Sequence, residues 1–165
     1  MSGEYSTEFK EVQRIGYDGV MEIPYVSIRP FHLALPVANL VCVKPFYAEY
    51  LGCSFGREDK KWIDVNFFGH QLVFHQHDGF VVNSIKNEVD YHGVPVPHFG
   101  VVLTPDLFKT LADRLLSKKV TFEIEPYTRF QGQSGEQSTM FFYDPNGYAL
   151  EFKAFGDDQA LFECT

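Results

Sequence analysis

One carboxylate stands out for its surroundings. In FFYDPNGYALEFKAF, residues 141–155, Glu151 sits between Leu150 and Phe152, with Phe155 beyond, so its strand is at least partly buried. Taking a carboxylate out of water is costly unless it is paired or bound to a metal. The plainer reading is a strand carboxylate that faces solvent or meets a lysine. Two histidines share a different distinction, because each opens an apolar strand: His32 in FHLALPV and His98 in PHFGVVL. Either one alone reads as an ordinary hydrogen-bonded histidine.

The elements that must position these three residues repeat. FHLALPV predicts a strand with His32, Ala34 and Pro36 on one face. A short helix follows over residues 40–51, with Gly52 as its stop. Three strands come next, near 53–57, 62–67 and 71–77, turning at Asp59-Lys60 and Phe68-Gly69. PHFGVVL then starts the order again. Thr104-Pro105-Asp106 is a helix start: a hydroxyl cap, proline at the first helical position, an acid in the first turn. Leu107, Phe108, Leu111, Leu115 and Leu116 form its apolar stripe. Strands near 120–125, 137–143 and 148–154 complete the second half, the last two joined by a hairpin turn on Asp144-Pro145-Asn146-Gly147. A polar, glycine-bearing loop over 129–136 has the size of a lid. His32 corresponds to His98 and Phe68-Gly69 to Asn146-Gly147, the second spacing being longer because of the longer helix and the lid. Such a repeat of a βαβββ unit is far more specific than any single motif.

The expected organisation is an N-terminal extension over 1–28, a first module over 29–78, a connector over 79–94, a second module over 95–156 and a tail over 157–165. The 165 residues suit one domain of two fused modules, and the 45% apolar share supports a packed core. A net charge of −8 excludes nucleic acid or an anionic membrane surface as the main partner. No apolar run approaches a membrane span, and MSGEYSTEFKEVQ lacks the pattern of a secretory signal. Cys42, Cys53 and Cys164 include no C-x-x-C, so no disulfide framework is expected and a reducing cytoplasm is the expected compartment.

FHLALPV, PHFGVVL and FFYDPNGYALEF resemble the strands of the vicinal oxygen chelate superfamily, which includes glyoxalase I, bleomycin-resistance proteins, fosfomycin-resistance transferases and extradiol dioxygenases. The resemblance covers residues 30–155, and DPxG followed by a strand glutamate is its most specific motif. It implies an α+β fold, two βαβββ modules in tandem forming a curved, partly open mixed sheet around a metal cleft. It places His32, His98 and Glu151 at the metal. The fourth ligand position, a glutamate in glyoxalase I, falls here on Val73. Two imidazoles and one carboxylate suit Fe(II) first, with Mn(II), Ni(II) or Zn(II) acceptable.

Gln71, Val73 and His75 share a strand face, so Gln71 and His75 flank that vacant position, with His75 as the candidate proton carrier beside Glu151. Tyr127, Arg129 and Gln137 border the lid as candidate substrate contacts, Arg129 as a clamp for an anionic oxygen. The resemblance further implies a small oxygenated substrate, dioxygenase or lyase/isomerase chemistry, and a homodimer. Extradiol enzymes carry a tyrosine where this chain has Phe141. The competing reading is a metal-free binding protein of the bleomycin-resistance kind.

Overall fold

The computed structural model describes residues 29–132, 135–157 and 161. The expected extension over 1–28 and most of the tail lie outside them. The first module runs β1 (His32–Val37), α1 (Val43–Glu49), β2 (Ser54–Asp59), β3 (Trp62–Phe67) and β4 (His70–Gln76). The second runs β7 (His98–Leu103), α2 (Pro105–Ser117), β8 (Phe122–Arg129), β9 (Gln137–Tyr143) and β10 (Ala149–Phe155). Between them lies a hairpin, β5 (Ile85–Val89) and β6 (His92–Val96), in the stretch expected to be a plain connector. The fold is the expected α+β pair of βαβββ units, with two open four-stranded mixed sheets ordered β1-β4-β3-β2 and β7-β10-β9-β8.

The repeat holds at the level of register. In the parallel pair β1/β4, His32 stands opposite Gln71; in β7/β10, His98 stands opposite Ala149. One same-face row further on come Val73 and Glu151, which are therefore equivalent positions. Helix α2 starts as the sequence dictates, with the Thr104 hydroxyl accepting from the Leu107 N–H at 3.4 Å and proline in the first turn. Its buried stripe is narrower than expected: Phe108, Leu111, Ala112 and Leu115 are buried, whereas Leu107 and Leu116 are exposed. Residues 107 and 116 fall at the margins of a single 3.6-residue face.

The turn before β10 also departs from expectation. Phe68 and Gly69 both take positive φ (53° and 90°), as a two-residue hairpin requires, but in the second module only Gly147 does (92°). Asp144 holds this longer loop instead. Its Oδ1 accepts from the N–H groups of Asn146 (2.9 Å) and Tyr148 (2.8 Å), and its Oδ2 from the buried Tyr47 hydroxyl (3.0 Å). Asn146 meanwhile bridges to the first module, accepting from Asn39 N–H and donating to Asn39 C=O, both at 3.1 Å.

Those contacts are part of a larger union. The helix-bearing faces of both sheets share one core: Val37, Phe46, Tyr47 and Phe74 of the first module with Phe142, Leu150 and Phe152 of the second. Phe46 meets Phe142 at 6.4 Å between centroids, and Arg114 of α2 donates to the Glu49 carbonyl at the end of α1 (2.9 Å). The two remaining sheet faces therefore point away from each other. His32, Gln71, Val73 and His75 lie on one; His98, Glu151, Thr139 and Phe141 lie on the other.

Candidate metal centre

The second face gathers the chemistry. Strand β7 brings His98 and strand β10 brings Glu151, with His98 Nε2 3.1 Å from Glu151 Oε2. Glu151 is buried, and its other oxygen accepts from the Thr139 hydroxyl on β9 (2.9 Å) and meets Lys153 Nζ at 3.3 Å. Parallel pairing at Gly100 makes this close approach possible: a Cβ there would stand 1.5 Å from the Glu151 carbonyl oxygen. His98 is aimed from behind, because its Nδ1 donates to the Pro95 carbonyl at 2.6 Å. That bond assigns the Nδ1 proton and turns Nε2 toward the carboxylate. The Phe141 ring closes the side, edge-on to the imidazole at 5.2 Å between centroids.

Charge follows from this geometry. The hydrogen bond to Glu151 raises the His98 pKa, burial opposes it, and the Pro95 carbonyl adds to the rise. Burial pushes the Glu151 carboxyl up more than any one contact pulls it down. The contacts from His98, Lys153 and Thr139 together still leave it below its usual value. With Nδ1 donating to Pro95, one proton between Nε2 and Oε2 holds two ligand-type atoms together.

The donor set fits a divalent ion in place of that proton. Two atoms each about 2.0–2.2 Å from one ion, at right or tetrahedral angles, lie roughly 2.8–3.6 Å apart. The observed 3.1 Å falls inside that range. An imidazole whose other nitrogen is tied to a carbonyl is also the usual form of a histidine ligand.

The first module supplies the matching half on its own outward face. His32 Nδ1 is bonded to Gln71 Oε1 at 2.9 Å, which makes Nε2 its outward nitrogen, as the Pro95 bond does for His98. Gln71, expected as a substrate contact, thus also fixes the orientation of the His32 ring. His75 lies on the same face, exposed, two residues beyond Val73. Beside them Asp64 is buried under Arg57, whose Nε donates to it at 3.1 Å.

Within one chain, then, the structure brings His98 and Glu151 together and leaves His32 on the opposite side. Among the described residues no three His, Cys, Asp or Glu side chains converge as a metal set.

The other expected contacts surround Glu151 to varying degrees. Tyr127, on the same face, packs its ring against His92 of β6, with centroids 4.8 Å apart. Arg129 is not a free clamp: Asp90, at the tip of the β5/β6 hairpin, accepts from its Nε at 2.6 Å and from its terminal nitrogen. With Lys86 paired to Glu123, these contacts stretch the hairpin from its root beside β7 to the far edge strand β8, across the face that holds the site. Gln137 points into the same face, and its buried Oε1 has no hydrogen-bond partner. Residues 133 and 134 of the expected lid lie outside the described residues.

Sequence reasoning missed Lys153 and Thr139. Strand alternation around Glu151 could have found Lys153, which is two residues away on the same face.

Comparison with known proteins agrees with this architecture. No helix among the described residues is long and apolar enough to cross a membrane. No curated protein matches the chain. Among solved structures, a glyoxalase/bleomycin resistance protein/dioxygenase from Alicyclobacillus acidocaldarius is 32% identical; the match covers 81% of this chain and 96% of that one, with a TM-score of 0.65. The fosfomycin resistance protein FosX from Listeria monocytogenes (16% identity, 81% and 95% covered, TM-score 0.58) shares the fold. So does a glyoxalase/dioxygenase from Nostoc punctiforme (17% identity, 84% and 99% covered, TM-score 0.58). A model of the Glyoxalase/Bleomycin resistance protein/Dioxygenase superfamily matches residues 29–152, the span that carries the duplicated sheets, the two aimed histidines and the strand glutamate, and the chain belongs to that superfamily.

Proposed function

We propose that the protein is a metal-dependent enzyme of this superfamily, acting on a small oxygenated substrate at a site shared between two copies of the chain. The observation that carries this reading is the His98–Glu151 geometry, a carbonyl-aimed imidazole 3.1 Å from a buried carboxylate. His98 and Glu151 of one copy and His32 of a second copy would hold one divalent ion, with iron favoured and manganese, nickel or zinc suitable. The outward, opposed placement of the two half-sites supports a homodimer. When bound, such an ion supplies Lewis acidity to adjacent substrate oxygens.

The chain's own residues do the rest. Pro95 and Gln71 hold the imidazoles in the ligating tautomer. Thr139 keeps one Glu151 oxygen occupied, so that the other, beside His98, would be the one to hold the ion. His75, brought by the second copy with His32, is the candidate proton carrier, because the strand position that holds a glutamate in glyoxalases is Val73. Phe141 offers the site no hydroxyl, which favours lyase or isomerase chemistry over dioxygenation.

One observation favours a second reading, a metal-free ligand-binding protein: His98 and Glu151 satisfy each other as an ion pair. Elemental analysis after anaerobic loading with Fe(II) or Mn(II) separates the two. About one equivalent per chain, lost in Glu151→Ala and in His98→Ala, is expected of the enzyme. No uptake by the parent protein rejects it in favour of the binder.

A further inference from the structure

Among the described residues, two cations beside the site-bearing face of the second module each have a carboxylate apart from the candidate ligand, whereas Lys153 shares Glu151 with His98. Arg129 is held by Asp90 at the hairpin tip, and Lys86 by Glu123. On the module that a second copy would bring, Arg57 is held by Asp64. Lys153 differs. Its ammonium lies 3.3 Å from Glu151 Oε1, an oxygen already engaged by the Thr139 hydroxyl, and belongs to a carboxylate whose other oxygen faces His98. The Lys153 side chain is 31% exposed, so it is neither sealed in the core nor fully solvated.

On the metal reading above, on which this inference rests, Glu151 spends its charge on the ion. Both imidazoles are then neutral. The two charges of the ion, reduced by one for Glu151 and increased by one for Lys153, leave the site with two positive charges in a chain whose net charge is −8. Such a local excess beside a buried carboxylate is a specificity element for an anion. We propose that the substrate chelates through adjacent oxygens of which at least one belongs to a carboxylate, as in a 2-oxo or 2-hydroxy acid, and that Lys153 binds that carboxylate. Gln137, one row beyond Lys153 on β9, contributes the buried and unpartnered Oε1 that a substrate hydroxyl would satisfy. A neutral diol or diketone would leave the Lys153 charge uncompensated.

The test uses the full chain loaded with Mn(II) and two chelating probes. Oxalate carries carboxylates; acetohydroxamate chelates through adjacent oxygens without one. Dissociation constants come from water-proton relaxation. Removing a charged hydrogen-bond donor from Lys153→Met should weaken oxalate about tenfold or more while acetohydroxamate stays within about twofold. Mn(II) itself should bind equally or more tightly, because a repelling cation has gone. Lys153→Arg should recover oxalate. Lys153→Gln is measured beside Lys153→Met, so that a folding defect in one uncharged variant leaves the comparison intact. Equal losses for both probes, or no loss for oxalate, overturn the proposal while the metal reading stands. Absence of Mn(II) binding in the parent protein rejects the metal reading itself before any probe is added.

Discussion

Mixing two inactive variants tests the shared site most directly. His32→Ala removes a ligand from the outward face of the first module, and Glu151→Ala removes one from the opposite face of the second. In a symmetric dimer of either variant alone, both sites are damaged. In a mixed dimer the two lesions fall into the same site, and the other site keeps His32, His98 and Glu151 intact. Random pairing at equal expression makes half of the dimers mixed, so the co-expressed population should hold about a quarter of the parent's metal. Mixed dimers isolated through two different affinity tags should hold about half. Elemental mass spectrometry on both pools reads the ratio, and size-exclusion chromatography with light scattering confirms the dimer. Metal at background in the isolated mixed dimers would refute the reasoning, because ligands drawn from one chain cannot be rescued by another. Full loading of a monomeric fraction would refute it as well.

Two further outcomes follow from the same geometry. Glu151 is held below its usual 4.5, so its contribution to stability is complete above that pH and is lost as pH falls through the folded value. His98 is held above 6.5, so its contribution is complete below that pH and is lost as pH rises through the folded value. After chelator treatment, denaturant melts of parent and Glu151→Gln should therefore differ most between pH 4.5 and 6.5, and a difference that is flat with pH removes the ion pair from the account. Gly100→Ala should cost about 3 kcal/mol in urea titrations, since the added carbon must push β7 away from β10; an unchanged midpoint would show that the strands are not so closely apposed.

Much of the frame is legible in the sequence because it is local. Strand alternation places His32 with Ala34, and counting four residues on from the turn glycines Gly69 and Gly147 equates Val73 with Glu151, a correspondence the register of both parallel pairs bears out. Thr104-Pro105-Asp106 starts its helix for reasons contained in three residues. The relation between the modules is not legible in this way. Periodicity says which residues share a face; it does not say which face of one sheet meets the other. Phe46 against Phe142 and Tyr47 against Asp144 decide that, across gaps of nearly a hundred residues. The same limit hides the partner of Arg129, because Asp90 lies 39 residues away in the sequence. It also explains the hairpin, because IKNEV has no apolar alternation and Pro95 reads as a breaker.

The two candidate ligand histidines are oriented by different kinds of atom. His98 is turned by the Pro95 oxygen, a main-chain group that every residue type possesses, so substitution at 95 leaves an acceptor in the chain. His32 is turned by the Gln71 side chain, which a single substitution deletes. The halves of a duplicated unit thus differ in their tolerance of drift. The aim of the second-module histidine is written into the path of the backbone, whereas that of its first-module counterpart must be maintained by selection on one glutamine.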